Sequence, residues 1–420
     1  MSEFLRREIC EGVTFSNITD DRFKLGRLSV TLTVPLARET AAAYALLVNI
    51  LTRSCKKYPD LTSLSRKLDS LYGAALYPMV SQLGDYQSLT ISVTGIDDRY
   101  ALGDMSVSTE LAELLCMILS EPNVVNGRFA DEDFEQEKRQ LLEDIDAEYS
   151  EKRTYAIKRC TEIMCREELY SIGRTGSRKD VEELTNEQVY NSLGKLLKEA
   201  RVDITMLGNT DPQKVFESFS QFFGSRPRAF KEVPTVTTQP HEVRRVAETD
   251  DVSQSKLVMG FRCAYPKDDK EAIENSLMSA ILGGLPTSKL FLNVREKQSL
   301  CYYCTSNLDN NKGILIIDSG VETENLEKAE QAILEQTANL KNGIISDSEL
   351  ADAKLALKNI LMSALDSLSA MQTFYLSRRL RKGALSPVEA AAYLDSITKD
   401  KIIALARTLE LDTVYSLLGN

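Results

Sequence analysis

GFRCAYPKDDKEAIENSLMSAILGGLPTSKLFLNVREKQSLCYYCTSNLDNNKGILIIDSG, residues 260–320, is the stretch that decides the fold. It begins inside a strand, residues 256–262 (KLVMGFR). Apolar spacing then predicts helices over 272–282 and 288–297, followed by strands over 299–306 and 313–319. Gly283-Gly284 reads as a tight connection between the two helices, since cradling a phosphate needs more glycine and a following Lys-Ser/Thr. Downstream, 324–340 and 346–365 read as helices.

The same order stands upstream. Residues 28–36 (LSVTLTVPL) alternate with period two and predict a strand. A helix follows over about 40–56, a turn at Pro59-Asp60, and a helix over 61–71 closed by Gly73. Strands at 74–82 and 87–94 come next, then a helix over 102–119. A single long helical stretch is predicted over 131–165, opening on Asp131-Glu132-Asp133, which suits a helix N-terminus. A helix at 185–199, a strand at 202–207 and a helix capped by Asp211-Pro212 complete this half. The repetition is visible in the letters too. LTISVTGIDDRY (89–100) resembles ILIIDSGVETEN (314–325), and FADEDFEQEKRQLLEDI (129–145) resembles IISDSELADAKLALKNI (344–360). The expected fold class is therefore α+β: two homologous domains, each a mostly antiparallel sheet with helices packed on one face. Residues 225–242 (SRPRAFKEVPTVTTQPHE) carry three prolines and no period, so they read as a linker. The domains are placed at 1–225 and 246–420, with the linker at 226–245.

The chain has 420 residues, 43 % hydrophobic and 27 % charged, which suits two soluble domains. Its net charge of −11 disfavours nucleic acid and anionic membranes as partners. No stretch approaches the length of an apolar spanning helix, and the N-terminal MSEFLRREICEG has no apolar signal region. A cytoplasmic location is the expectation. The eight cysteines are scattered and read as reduced, half-buried small residues. Cys301-Tyr302-Tyr303-Cys304 lacks the second pair of a zinc ribbon, and residues three apart in a regular strand point to opposite faces, which argues against a disulfide.

His241 is the only histidine. It lies in the linker, and four residues on stands Arg245, a cation that repels Zn²⁺. A zinc peptidase needs three protein ligands and an open position for water, so no metal is expected in this chain.

Residues 260–320 resemble the C-terminal domain of the insulinase (pitrilysin) family of zinc peptidases. The shared features are a GF strand, a helix ending in LGG, then SKLF, VREKQSLCY and a strand after KG. The first half is similar as well, through LYGA (71–74), TISVTG (90–95), FEQEKRQLLEDI (134–145) and VDITMLGNTD (202–211). The resemblance covers nearly the whole chain. Active members carry H-x-x-E-H on the first helix, two His for zinc and a Glu as general base, with a further Glu ligand on the long helix. Here those helix positions fall on Ala45, Val48 and Asn49. The downstream ligand position falls on Asp144 and the supporting Glu on Glu137. The resemblance thus implies a non-catalytic chain like the inactive subunit of two-chain bacterial members. It implies further that Arg295 and Tyr302 grip an extended peptide substrate and its developing oxyanion. The implied partner is a zinc-bearing insulinase-family paralogue, which alone would hold the zinc. The alternative is a scaffold or accessory pseudo-peptidase with no proteolytic role, as in relatives associated with elongation-factor modification.

Overall fold

A computed structural model describes residues 3–224, 226–230, 232, 235, 238 and 242–419. His241 and much of the segment 225–242 lie outside the described residues.

The alternation at 28–36 becomes the middle of strand β3 (Leu25–Pro35), with Leu28, Val30, Leu32 and Val34 buried in one core. It sits in a six-stranded sheet with β1 (Glu3–Cys10), β2 (Val13–Thr19), β4 (Ala75–Leu83), β5 (Tyr86–Ile96) and β8 (Arg201–Gly208), in the order β1-β2-β8-β3-β5-β4. A two-stranded ribbon, β6 (Val124–Val125) with β7 (Arg128–Phe129), stands apart. The second sheet runs β11-β12-β10-β13-β9, formed by β9 (Arg244–Asp250), β10 (Ser255–Arg262), β11 (Cys301–Asp309), β12 (Ile314–Val321) and β13 (Glu410–Gly419). Strand for strand, β4-β5-β3-β8-β2 matches β11-β12-β10-β13-β9. Each sheet is antiparallel except for one pair, β2 with β8 and β9 with β13. The duplication read from the letters is thus present in the topology, with β1 as an addition to the first sheet.

Helices cover each sheet. In the first half these are α1 (Arg38–Leu51), α2 (Leu61–Ser70), α3 (Val107–Ser120), α4 (Asp131–Ser150), α5 (Lys152–Met164), α6 (Arg178–Glu183), α7 (Asn186–Glu199) and α8 (Pro212–Gly224). In the second they are α9 (Asp269–Ser279), α10 (Leu326–Lys341), α11 (Asp347–Ser363), α12 (Leu368–Arg378), α13 (Pro387–Tyr393) and α14 (Lys399–Ala406). Side-chain caps start many of them: Asp60 accepts from Ser63 N, and Ser346 exchanges hydrogen bonds with Glu349. No helix among the described residues is long and apolar enough to cross a membrane.

The stretch expected as one helix over 131–165 is two. Glu151 leaves helical geometry, and its carboxylate accepts from Thr154 N, starting α5 afresh. The break has a topological meaning. The chain forms two compact units, Met1–Ile145 with Ile172–Pro234, and Asp146–Ser171 with Thr235–Asn420. A first domain of 1–225 therefore includes a segment that packs with the second. The reason is apolar burial: Ala156, Cys160 and Met164 of α5 cluster with Val258 of β10, Ile314 and Ile316 of β12, and Tyr415 and Leu417 of β13. Gly260 permits this approach, because a Cβ there would stand 2.7 Å from Met164 Sδ. This sheet face is opposite the one carrying Leu257, Met259 and Phe261, which pack with α9, α10 and α14. The linker read as 226–245 ends early, since β9 begins at Arg244.

The same unit buries a charged cluster. Arg262 pairs with Glu168 at 2.7 Å and Asp412 at 3.0 Å, Lys312 Nζ reaches Glu168 at 2.7 Å, and Arg244 reaches Asp412 at 2.7 Å. Burial pushes the Glu168 carboxyl up, but hydrogen bonds from Lys312 and Arg262 outweigh it and hold it below the usual range.

Candidate functional site

One candidate site, in the first unit, lies on α1. Ten of its fourteen residues are buried, so it is a core helix nearly all round. Ala45 and Val48 are 0 % and 1 % exposed and pack among β-strand and helix side chains of the first core. Neither has an atom that can bind a metal. Asn49 is half-buried, and its backbone carbonyl accepts from Thr52 Oγ1 at 2.8 Å. One turn beyond, Arg53 reaches across to α4. Its Nε donates to Asp133 at 2.8 Å, and its two terminal nitrogens donate to Glu137 and Gln136 at 2.9 Å each. Ser54 Oγ donates to the other Asp133 oxygen at 2.8 Å. Asp144 is exposed on α4 and accepts from Gln140 at 3.0 Å.

This donor set does not fit zinc. Two positions are hydrocarbon, one is an amide, the Glu137 carboxylate is held by a guanidinium, and Asp144 faces water. Zinc needs three nitrogen, sulfur or carboxylate ligands in tetrahedral reach. Among the described residues, no group of three or more His, Cys, Asp or Glu side chains could hold a metal ion. Arg53 was not singled out from the sequence. It lies in the turn just past the end of α1, where the sequence offers only a lone cation as a signal.

A separate candidate site is a cleft of about 420 Å³ in the second unit. Residues 290–297 wind as a wide π-type turn, a form frequent at functional sites, and its end delivers Arg295 and Glu296 to the cleft. The edge strand β11 delivers Cys301 and Tyr302, and Glu322 follows β12. The structure thus brings Arg295 and Tyr302 to one cleft. The Arg295 guanidinium lies 4.5 Å from the Phe291 ring centroid and 3.6 Å from the Glu296 carboxylate, longer than a strong ion pair. Tyr302 is 61 % exposed, and its hydroxyl donates to Glu322 at 2.8 Å. That hydrogen bond to a carboxylate raises the phenol's pKa.

The expectation that Cys301 and Cys304 face opposite ways is overturned. Cys301 pairs with Val321 and Tyr303 with Gly320, so Tyr302 is the extra residue of a β-bulge. One additional residue switches the facing of everything before it. Both thiols therefore turn to the core, while Tyr302 is pushed outward.

The chain was compared with known proteins. Residues 183–357 match the model of the peptidase M16 inactive domain. The probable inactive metalloprotease YmfF of Bacillus subtilis (strain 168) is 28 % identical over 412 residues, 97 % of this chain and 96 % of that one. A conserved protein from Enterococcus faecalis V583 superimposes with a TM-score of 0.91 at 28 % identity, covering 99 % of both chains. A peptidase M16 inactive domain from Pseudomonas fluorescens has the same fold, with a TM-score of 0.79 at 16 % identity over 100 % of this chain and 98 % of that one.

Proposed function

We propose that this chain, similar to the peptidase M16 inactive domain over residues 183–357 and to a probable inactive metalloprotease over nearly its whole length, is a non-catalytic M16 (insulinase) member and the substrate-gripping subunit of a two-chain zinc metallopeptidase. The observation that carries the reading is the sharing of one cleft by Arg295 and Tyr302, on a chain whose zinc-motif positions hold no ligand set. A guanidinium and a phenol are donors suited to a peptide carbonyl whose negative charge grows during attack. Beside them, β11 pairs on one side only, so an extended peptide can add to its other edge. The metal and the general base then come from a zinc-bearing M16 paralogue with H-x-x-E-H. This chain itself takes no cofactor, works in the cytoplasm and engages neither nucleic acid nor membrane.

The test mixes the purified chain with such a paralogue and follows cleavage of a fluorogenic peptide. Neither chain alone should cleave, and the mixture should. Arg295→Ala or Tyr302→Phe should lower the mixture's kcat/KM by about 10²-fold, the usual effect of removing one donor to an oxyanion. Activity unchanged in both variants sinks the gripping role.

A second reading, a scaffold without proteolysis, is favoured by one detail: the Tyr302 hydroxyl is already engaged by Glu322. Under that reading the double variant Arg295→Ala/Tyr302→Phe keeps full function in the cell.

A further inference from the structure

Cys301 and Cys304 sit where a core meets a cleft. Cys301 is 9 % exposed and lines the cleft beside Arg295, whereas Cys304 is 1 % exposed directly behind it. The bulge at Tyr302 puts both thiols on one face of β11, where Cys301 pairs with Val321 and Cys304 with Ser319, neighbours on one face of β12. We propose that this pair is a reactive dithiol, in which Cys301 is attacked by a peroxide entering through the cleft and Cys304 resolves it to a disulfide.

The surroundings favour that division of labour. The neighbouring Cys304 thiol contributes most and the Arg295 charge adds to it; against burial, these hold the Cys301 thiol down to about 7. Its partner is pushed up by the neighbouring Cys301 and by burial. The remaining shifted thiols go the other way. Burial pushes Cys116, Cys165 and Cys263 up to about 12. One cysteine in the chain therefore combines thiolate character with access.

The chemistry balances with hydrogen peroxide as the oxidant. The Cys301 thiolate attacks one oxygen, an S–O bond forms, the O–O bond breaks and hydroxide leaves. The product is a sulfenic acid. Cys304 Sγ then attacks Cys301 Sγ, an S–S bond forms, the S–O bond breaks, and the departing hydroxide takes the Cys304 proton as water. Two thiols and one peroxide give one disulfide and two waters. Tyr302 lies at the apex of the loop so closed, so oxidation clamps the residue that faces the cleft.

This inference is independent of the proposed function, because the thiols themselves are the readout. The full-length reduced chain is alkylated with iodoacetamide at pH 7, and each cysteine is followed by mass spectrometry. Cys301 should react about tenfold faster than Cys10, Cys116 or Cys263. Brief exposure to hydrogen peroxide should then protect Cys301 and Cys304 together, in a peptide lighter by two hydrogens. Cys304→Ser should instead leave a sulfenic acid on Cys301 that dimedone traps, and Cys301→Ser should leave Cys304 unmodified. Equal alkylation rates, a disulfide to any other cysteine, or a sulfinic acid accumulating on wild-type Cys301 overturns the proposal. The wild-type measurements decide it even if a variant fails to fold.

Discussion

At the α1 positions that the resemblance aligns with a zinc motif, Ala45 and Val48 extend the apolar core, and Arg53 supplies positive charge to the acidic start of α4. Arg53→Ala removes the partner of Asp133, a carboxylate only 8 % exposed, and of Glu137. Such orphaned acceptors cost about 2 kcal/mol, so thermal denaturation should show a lower midpoint, with the fold retained at room temperature. Restoring His at 45 and 49 with Glu at 48 is not expected to create stoichiometric zinc binding, as read by metal analysis. Two polar side chains would enter a packed core at 45 and 48, and the third ligand position would remain an exposed aspartate.

At the scale of elements, the connection LGG is a packing device. Helix α9 continues into a wide turn over Ala280–Gly284, and a Cβ on Gly283 would stand 2.8 Å from Ser306 N and 2.6 Å from Leu290 Cδ1. Gly283→Ala forces backbone apart at β11, and we expect a loss of about 2 kcal/mol, measurable by urea denaturation. Most such elements were legible in the sequence. Alternation at 28–36 and the helix-spaced runs at 272–297 gave strands and helices with shifted ends. Part of what escaped had physical reasons. The strands β1 (EFLRREIC) and β9 (RRVAETD) are charged edge strands, which lack the apolar alternation of central ones, whereas β2, β13, α6 and the helices α12 to α14 went unassigned without that reason. The facing of Cys301 and Cys304 was misread because a bulge breaks period two without leaving a mark in composition. The site positions on α1 were readable as lacking ligands, whereas the Arg53 contacts needed α4 in place across 80 residues of chain.

Over the whole molecule, the buried cluster around Glu168 links stability to pH. The folded Glu168 carboxyl lies below its reference value of 4.5. Its contribution is therefore complete above that reference and fades as pH falls through the lower, folded value. Lys312→Met removes the partner whose hydrogen bond contributes most to that lowering, leaving Arg262 alone to offset burial, so the carboxyl moves upward. The variant should lose about 3 kcal/mol near neutrality and unfold at a higher pH than wild type in an acid titration followed by circular dichroism. An unchanged acid midpoint refutes the assignment.

The passage of residues 146–171 into the second unit has a practical consequence for anyone dividing this gene. Cutting at the proline-rich segment looks natural, yet it delivers neither half whole. The downstream product would lack α5 and the Glu168 carboxylate, baring Val258, Ile316 and Tyr415 and stranding Arg262 and Lys312. The upstream product would carry an apolar helix with nothing to cover it. Expressed apart, both pieces should aggregate; expressed together, they should recover each other.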